Sequence, residues 1–376
     1  MPTPRKPMRA EDPRPVLITG GAGFIGTNLA DRLLCDGRPV RIYDSLARAG
    51  AERNLRWLRA KHGFRVDFQR GDVRSAADLC RAVADVGTVF HLAAQVAVTT
   101  SLAEPREDFE VNAAGTINLL EAVRRRGPEV RLLFTSTNKV YGALDDLALV
   151  AEDNRYRPQA DLAGIDETRP LSFHSPYGCS KGAADQYVLD YARSYGLLAA
   201  VFRMSCIYGP HQHGTEDQGW VAHFLIRALQ GLPITIYGDG RQVRDLLAVD
   251  DLVEAFLYAE RALPALAGEA FNIGGGAANT TSLIELIETI ACRCGYEPRL
   301  AFADWRPGDQ RWYVSDTGKF VRATGWRPRI GVGEGIARLH AWLAADGETV
   351  RPPGPDETRP RPGRQNRARA MQVAAQ

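Results

Sequence analysis

The sequence predicts an α/β protein built on a doubly wound parallel sheet, followed by a smaller C-terminal α/β lobe. Two observations support this fold class. Short apolar runs alternate along the chain with amphipathic helical patterns, which is typical of parallel strands joined by helical crossovers. The first apolar run, Val16 to Ile18, also leads directly into a glycine-rich turn, Thr19 to Gly26, and then into a helical pattern. A strand, a tight turn and a helix in this order are typical of the unit that opens a dinucleotide-binding sheet.

The glycine-rich turn predicts where a cofactor pyrophosphate would bind. Gly20, Gly23 and Gly26 permit a tight turn, a close approach of the backbone to a phosphate, and packing of the helix on the strand. The free amides at the start of the helix favour an anion.

The second strand predicts which dinucleotide binds. The run Val40 to Tyr43 ends in Asp44, whose carboxylate can accept both hydroxyls of the adenosine ribose. Because a carboxylate would repel a 2'-phosphate, NAD is expected rather than NADP, although Arg48 nearby leaves NADP open.

Later strand ends predict further cofactor contacts. The run Phe64 to Phe68 predicts a strand leading to Asp72 and Val73, which suit the adenine edge. The run Thr88 to Ala94 predicts the next strand and its small-residue exit, where the backbone of Leu92 and Ala93 can approach the cofactor.

Two polar residues near that strand have structural interpretations. His91 lies inside the apolar run and is interpreted as a histidine that packs in the core or supports a ligand-contacting residue, rather than as a ligand, because no metal-ligand partners accompany it. Asn112 opens the predicted helix Ala113 to Arg125, where it would either fix a neighbouring loop or cap the helix.

Tyr177 and Lys181 form the candidate catalytic pair. They are four residues apart and so share one face of a helix. A free tyrosine titrates near ~10, and a neighbouring ammonium would favour the phenolate that can act as a base. A buried strand, Val130 to Phe134, precedes Thr137. Since ligands bind outside the carboxyl ends of parallel strands, Thr137 is expected to hydrogen-bond a substrate alcohol while Tyr177 takes its proton.

With these motifs, the chain resembles the extended short-chain dehydrogenase/reductases of the nucleotide-sugar epimerase and dehydratase family, over residues 15–345. The resemblance implies a Rossmann domain, catalytic roles for Tyr177, Lys181 and Thr137, and a reaction in which a hydride passes to NAD and returns without net redox change. It also implies a set of NAD-contacting residues, namely Phe24, Ile25, Asp44, Asp72, Val73 and Ala93.

Several segments are more narrowly similar to family members that epimerise a CDP-linked hexose at C2. They include Asp44 to Arg48, Ser136 to Gly142 and Asp217 to Val221. Family dehydratases carry an Asp-Glu pair where this chain has Asn138 and Lys139, so elimination of water would lack its acid and base. The alternatives are a UDP- or dTDP-sugar 4-epimerase with the same residues and a non-catalytic NAD-binding sensor. The intact catalytic residues argue against the sensor.

Two later segments resemble the places where family members hold the substrate diphosphate. They are Gly238 to Asp245, with Arg244 as the anion ligand, and Arg306 to Gln310, which contains Arg306 and Asp309. Arginine suits bidentate contacts with phosphate. The expected partner is therefore a nucleotide-sugar, with a CDP-hexose favoured and Asn138 contacting it beside Thr137.

The overall composition is that of an ordinary globular protein. The chain has 376 residues, of which 24% are charged, and a formal net charge of +2. Apolar stretches are short and the N-terminus has no apolar signal region, so we expect a cytoplasmic protein that binds neither membranes nor nucleic acid. The scattered cysteines predict reduced thiols and no metal site. A homodimer or homotetramer is expected.

Four segments are predicted along the chain. Residues 1–14 form a flexible N-terminus. Residues 15–203 form the NAD-binding domain, to which the chain returns near 242–265, and residues 204–345 form mainly the substrate-binding lobe. Residues 346–376, rich in arginine and proline, predict a disordered basic tail. The roles of two histidines in the loop from His211 to Glu216, His211 and His213, are left open.

Overall fold

The computed structural model describes residues 12–306 and 308–345. The predicted tail at 346–376 and most of the predicted flexible N-terminus lie outside the described residues. The strands are β1 (Val16–Thr19), β2 (Val40–Asp44), β3 (Val66–Arg70), β4 (Thr88–His91), β5 (Arg131–Thr137), β6 (Leu149–Ala151), β7 (Tyr156–Pro158), β8 (Leu198–Met204), β9 (Cys206–Tyr208), β10 (Ile234–Tyr237), β11 (Val243–Ala248), β12 (Ala270–Ile273), β13 (Thr280–Ser282), β14 (Leu300–Ala303) and β15 (Trp312–Tyr313).

The helices lie between these strands and after the last of them. They are α1 (Phe24–Cys35), α2 (Ala51–His62), α3 (Ala76–Ala82), α4 (Val98–Ala103), α5 (Pro105–Phe109), α6 (Gly115–Arg126), α7 (Ser175–Tyr195), α8 (Trp220–Leu229), α9 (Val249–Leu266), α10 (Leu283–Cys294), α11 (Gly318–Thr324) and α12 (Val332–Ala345). In this described part of the chain, no helix has both the length and the apolar character needed to cross a membrane.

The predicted doubly wound parallel sheet is confirmed. Seven strands pair in the order β12-β8-β5-β4-β1-β2-β3, and all six pairings are parallel. The direction of winding reverses between β1 and β4, and the carboxyl ends of strands at such a reversal flank a ligand crevice.

Alternating side chains on β1 explain why helices cover both faces of this sheet. Val16 and Ile18 are fully buried in one apolar layer with residues of α1 and α9, whereas Leu17 is fully buried in the opposite layer with residues of α3, α6 and α7. A strand buried on both faces is expected to be largely apolar, and Val16, Leu17 and Ile18 make up three of the four residues of β1. The two layers fix the strand ends that form the crevice.

Two element boundaries differ from those expected. The predicted strand from Phe64 begins instead at Val66, because Gly63–Arg65 forms a 3-10 turn that leaves the Phe64 side chain fully exposed. Strand β5 extends beyond Phe134 to Thr137, so that its threonine lies at the strand end itself. A single π-helical turn, Glu110–Ala114, precedes α6 and contains Asn112.

The second lobe is built around β11, which pairs with β9, β13 and β15, and a separate parallel pair, β10 and β14. Its core lies among α8, α10 and α12. The segment 242–265, where a return to the first domain is expected, contains β11, which belongs to the second lobe, and nearly all of α9, which packs on β5 and β8. After it, β12 forms an edge strand of the seven-stranded sheet.

Candidate active site

The glycine-rich turn after β1 packs tightly against the exit from β4. Gly20 has φ +70°, and a Cβ atom there would lie 2.8 Å from the backbone nitrogen of Ala93. A Cβ on Gly26 would lie 2.4 Å from the carbonyl oxygen of Gly20. Because both contacts exclude a larger side chain, the backbone forms a close-fitting wall at the point where the sheet changes direction.

The start of α1 fits the pyrophosphate of NAD. Gly23 precedes the helix and provides no side-chain cap. The first amides of a helix have no acceptor within it, so those of Phe24, Ile25 and Gly26 can donate to an anion.

Asp44, predicted to bind the adenosine ribose, is held in place by two backbone hydrogen bonds. Its carboxylate accepts from Ala22 N at 3.0 Å and from Leu46 N at 2.8 Å. Burial raises the pKa of Asp44, although these backbone bonds oppose the effect. Since an ionised carboxylate can accept about four hydrogen bonds, it keeps the capacity to accept from ribose hydroxyls, and this fits NAD.

Asp72 and Val73, predicted at the adenine edge, lie at the exit from β3. The Asp72 carboxylate is 2.7 Å from Arg74, whose guanidinium lowers the pKa of that carboxyl. The Asp72 carbonyl accepts from the Tyr43 hydroxyl at 2.8 Å, and Val73 is buried against Gly115. These contacts hold Asp72 and Val73 in place at the exit from β3.

The exit from β4 is joined to the end of β1 through Thr19. The amides of Leu92 and Ala93 donate to the Thr19 carbonyl at 3.1 Å and to its hydroxyl at 3.3 Å. His91 Nδ1 is 2.7 Å from the same hydroxyl, while Nε2 is 3.1 Å from Thr116 Oγ1. Burial lowers the pKa of His91 to about 3, so the residue is the neutral core histidine that was predicted.

Lys181 connects the catalytic helix α7 to the end of β5. Its ammonium is almost completely buried and donates to the Thr135 carbonyl at 2.6 Å, with the Phe134 ring centre 4.3 Å away. Burial lowers the pKa of Lys181 to about 7, against the opposing effects of Asp185 and Asp108.

Tyr177 lies on the same face of α7, but the polypeptide alone does not give it the lowered pKa expected from the sequence. Burial raises the pKa of Tyr177 to about 12, while Thr137 and Arg48 act in the opposite direction. The physical reason is that a phenolate loses its hydration on burial. The structure thus brings Tyr177 together with Thr137 and with Arg48, which donates to the Gln218 side chain.

A buried network that sequence reasoning missed fixes α7 against the loop after β4. Asp108 accepts from Gln95 Nε2 at 2.8 Å and from the Ser180 hydroxyl. Asn112 donates to Gln95 O at 3.0 Å and to Ser180 Oγ at 3.1 Å. Asn112 therefore fixes a loop, one of its two expected roles. The other members had no sequence signal, because isolated polar residues on helices are usually solvent-facing.

The segment after Thr137 reaches towards the second lobe. The Thr137 hydroxyl accepts from Lys139 N at 3.2 Å. Asn138 donates to the Gln310 side chain at 3.2 Å, and Gln310 donates to Gly142 O at 2.7 Å. Gln310 is fully buried, and it ties the predicted substrate residue Asn138 to the loop that also carries Asp309.

Arg244 and Asp309, predicted to be close to the substrate, form an ion pair. Arg244 Nη2 is 2.7 Å from Asp309 Oδ1, which also lies 3.5 Å from Lys139 Nζ. Burial would raise the pKa of Asp309, but Arg244 and Lys139 outweigh it and the pKa is lowered. Burial lowers the pKa of Lys139, against the effect of Asp309.

Arg306 has different partners from Arg244. Its guanidinium lies 4.0 Å from the ring centre of Tyr237 and donates to Glu216 O at 3.0 Å. The Tyr237 hydroxyl donates to the Glu216 carboxylate at 2.6 Å. Arg306 therefore fixes the loop before α8 in addition to any substrate contact.

The two unassigned histidines hold the neighbouring part of that loop. The His211 ring lies between Trp57 of α2 and Trp342 of α12, with ring centres 4.1 and 5.2 Å away. Burial lowers the pKa of His211 to about 4. His213 Nε2 is 3.2 Å from Asn54 Oδ1. Both histidines join the first sheet's helices to the second lobe.

A group of potential metal ligands lies on α1 and α2. Within residues 12–306 and 308–345, Asp31, Cys35 and His62 are the group with donor atoms close enough to hold an ion. However, Lys61 lies 2.8 Å from Asp31, and Arg65 lies 3.1 Å from His62. These cations compete directly with a metal.

The sheet, the glycine turn and the Thr137–Tyr177–Lys181 arrangement define an NAD-dependent enzyme of the short-chain dehydrogenase/reductase type. The family model described as the NAD dependent epimerase/dehydratase family matches residues 16–274, and this chain belongs to that family.

Individual relatives extend the similarity to nearly the whole of their length. The chain is 42% identical to CDP-paratose 2-epimerase of Salmonella typhi, over 88% of this chain and 99% of that protein. It is 36% identical to UDP-glucose 4-epimerase of Mycolicibacterium smegmatis, over 86% of this chain and 96% of that protein.

Solved structures show the same fold with the cofactor. The UDP-glucose 4-epimerase of Thermus thermophilus in complex with NAD aligns with a TM-score of 0.73 and 35% identity, covering 87% of this chain and 98% of that one. A dTDP-glucose 4,6-dehydratase from Streptomyces venezuelae with NAD and TYD bound aligns with a TM-score of 0.77 and 30% identity, covering 90% and 99%. NAD is therefore the cofactor of this enzyme.

Proposed function

We propose that this enzyme epimerises a CDP-linked hexose at C2, in the manner of a CDP-paratose/CDP-tyvelose 2-epimerase, by transient oxidation to a keto sugar. The observation that carries the proposal is the 42% identity to a CDP-paratose 2-epimerase across almost the entire length of that protein. The geometry of Thr137, Tyr177 and Lys181 supports the chemistry.

The chain's own residues control the proton. Tyr177 accepts the proton of the reacting hydroxyl, and Thr137 hydrogen-bonds that hydroxyl and orients it. Lys181, anchored to Thr135 O, supplies positive charge beneath the site. NAD, when bound, supplies the hydride acceptor and donor and a positively charged nicotinamide ring that favours the phenolate. Burial raises the pKa of Tyr177 to about 12, so a further positive charge near the phenol would favour the phenolate.

NAD would be held by the residues proposed here as its site. They are the turn and helix start around α1, the ends of β2, β3 and β4, and the catalytic pair: Gly20, Gly23, Phe24, Ile25, Gly26, Asp44, Asp72, Val73, Leu92, Ala93, Tyr177 and Lys181. The substrate would contact Thr137, Asn138, Arg244, Arg306 and Asp309.

Dehydration is disfavoured by the residues that follow Thr137. Asn138 has an amide, which is committed to Gln310, and Lys139 is a cation that faces Asp309. An amide and an ammonium cannot serve as the carboxylic acid and carboxylate that elimination of water requires.

The second candidate is a UDP- or dTDP-sugar 4-epimerase. It is favoured by the 36% identity to UDP-glucose 4-epimerase of Mycolicibacterium smegmatis and would use the same catalytic residues. A non-catalytic NAD sensor is disfavoured because Thr137, Tyr177 and Lys181 are all present and brought together.

The test supplies purified enzyme with CDP-, UDP- and dTDP-hexoses and follows the products by NMR. With a CDP-hexose deuterated at C2, the label should return to C2 without loss to water, and a C4 label should remain silent. Label transfer from C4 would support the 4-epimerase, and loss of C2 label to water would indicate deprotonation without a hydride. Either result would overturn the proposal.

We also propose that the enzyme works in the cytoplasm as a homodimer or homotetramer. Leu102, Phe109 and Tyr187 are 49%, 56% and 45% exposed, and they lie on α4, α5 and α7, which pack together. A second copy would cover this apolar surface. Light scattering should show a mass of at least two chains, and Phe109→Lys with Tyr187→Lys should reduce it. A wild-type monomer at micromolar concentration would contradict this assembly.

A further inference from the structure

A cluster beside the catalytic threonine has more positive than negative charge. The single oxygen Asp309 Oδ1 faces both Arg244, at 2.7 Å, and Lys139, at 3.5 Å. The side chain of Arg244 is 8% exposed and that of Lys139 is 22% exposed. One carboxylate therefore serves two cations that are largely withdrawn from water, and an anionic ligand would complete the charge balance.

Lys139 connects this cluster to the reacting hydroxyl more directly than Arg244 does. Its backbone amide donates to the Thr137 hydroxyl at 3.2 Å, and its ammonium crosses to the second lobe, where it lies 3.3 Å from Gly308 O. The two ends of one residue thus contact the catalytic threonine and the charged cluster. A ligand bound to the ammonium therefore lies within one lysine side chain of Thr137.

The covalent structure of a nucleotide-sugar relates the position of Lys139, two residues after Thr137, to the carbon that is oxidised. The sugar-proximal phosphate is attached at C1, so it lies next to C2 but across the ring from C4. When the C2 hydroxyl is at Thr137 and Tyr177, the phosphate must be close to them. A cation two residues beyond Thr137 is then within its reach, whereas oxidation at C4 would place the phosphate farther away.

Building on the proposed function, we propose that Lys139 is a substrate-binding residue whose ammonium binds the sugar-proximal phosphate and thereby selects C2 rather than C4 for oxidation. Asp309 holds the ammonium in place before the substrate arrives. The phosphate then supplies the negative charge that one carboxylate does not.

The binding test compares CDP with CMP, which lacks the phosphate in question. Calorimetry on NAD-loaded protein should show that Lys139→Met weakens the binding of CDP about tenfold or more and changes the affinity for CMP less than about twofold. Lys139→Arg should keep most of the CDP affinity. Lys61→Met, at an exposed ion pair with Asp31, is the matched control and should leave both affinities unchanged. Equal weakening of CDP and CMP, or no weakening of either, would overturn the proposal.

The same experiment separates this inference from the proposed function. If the wild-type enzyme binds UDP instead of CDP, the proposed nucleobase of the substrate is wrong. A comparison of UDP affinity with UMP affinity then tests Lys139 in the same way. The selection of C2 has its own measurement. With substrates deuterated at C2 or C4, Lys139→Met should show a raised KM and detectable transfer of label from C4. Transfer confined to C2 at an unchanged KM would overturn the selective role.

Discussion

The Lys181 ammonium donates to the Thr135 carbonyl at 2.6 Å, so the helix that carries the candidate base is attached to the strand that carries its hydroxyl partner. Two residues after Thr135, the strand ends at Thr137. This contact therefore sets the distance between α7 and β5 at the site, and it gives the buried lysine a positioning role as well as an electrostatic one.

Removing the phenol should abolish the reaction while leaving the cofactor bound. Tyr177→Phe is expected to lower kcat by about 100- to 10,000-fold, the usual contribution of a general base. Lys181→Met should lower both the rate and the amount of NAD retained. Tyr195→Phe is the control, since Tyr195 is 52% exposed at the end of the same helix. Rates are measured by NMR and NAD by release on denaturation; near-normal turnover of Tyr177→Phe would exclude the mechanism.

The ribose site should determine which cofactor is purified with the protein. Because the Asp44 carboxylate is held by Ala22 N and Leu46 N, we expect the denatured protein to release NAD and little NADP. Asp44→Ala should lower NAD affinity about tenfold or more, since it removes charge-assisted hydrogen bonds. Asp67→Asn, at an exposed position on β3, serves as the control. Release of chiefly NADP by the wild type would refute this assignment.

Breaking the buried ion pair between Asp185 and Arg203 should destabilise the first domain strongly. Arg203 Nε and Nη2 each lie 2.9 Å from an Asp185 oxygen, and both side chains are at most 5% exposed. Asp185→Ala leaves the buried Arg203 guanidinium without its carboxylate partner. It should lower the free energy of unfolding by about 3–5 kcal/mol, as measured by urea unfolding. Asp185→Leu combined with Arg203→Met should cost less, and a greater loss in the double variant would contradict this account.

The exposed pair of Asp250 and Arg338 provides the comparison for that measurement. Both side chains are nearly half exposed. Asp250→Ala should therefore cost less than about 1 kcal/mol.

Acid should destabilise the protein partly through His91. Burial lowers the pKa of His91 to about 3 from 6.5, so between these values the unfolded chain binds a proton that the folded chain does not. Stability from this residue is fully present above pH 6.5 and is lost as the pH falls towards 3. Between pH 7 and pH 5, the free energy of unfolding of His91→Gln should fall by about 2 kcal/mol less than that of the wild type. Urea midpoints at both pH values test this, with exposed His174→Gln as the control; parallel losses would contradict it.

Local pattern was sufficient to predict most of the first sheet and the cofactor turn. The glycines of Thr19 to Gly26 and the four-residue spacing of Tyr177 and Lys181 have consequences that depend on backbone geometry alone. Phe64 shows the limit of predicting strands from runs of apolar residues. It was expected to begin a strand, but it lies in a turn with its side chain fully exposed.

Electrostatic behaviour at the site could not be predicted from residue types. The sequence places an ammonium near a phenol and suggests a lowered pKa for Tyr177, yet burial raises that pKa to about 12. Desolvation depends on every element packed around a group, and those elements come from distant parts of the chain.

The sequence by itself determined the alternation of strands and helices in the first domain, the dinucleotide turn and the shared helix face of Tyr177 and Lys181, because each of these depends on neighbours a few residues apart. Only the tertiary structure decided which polar groups meet across the cleft. Lys139 and Asp309 are 170 residues apart, and Asp108 and Ser180 are 72 apart. The first contact joins the two lobes and the second lies within the first domain. Both exist only after whole elements have packed, since their geometry depends on how those elements lie against each other and not on any local period.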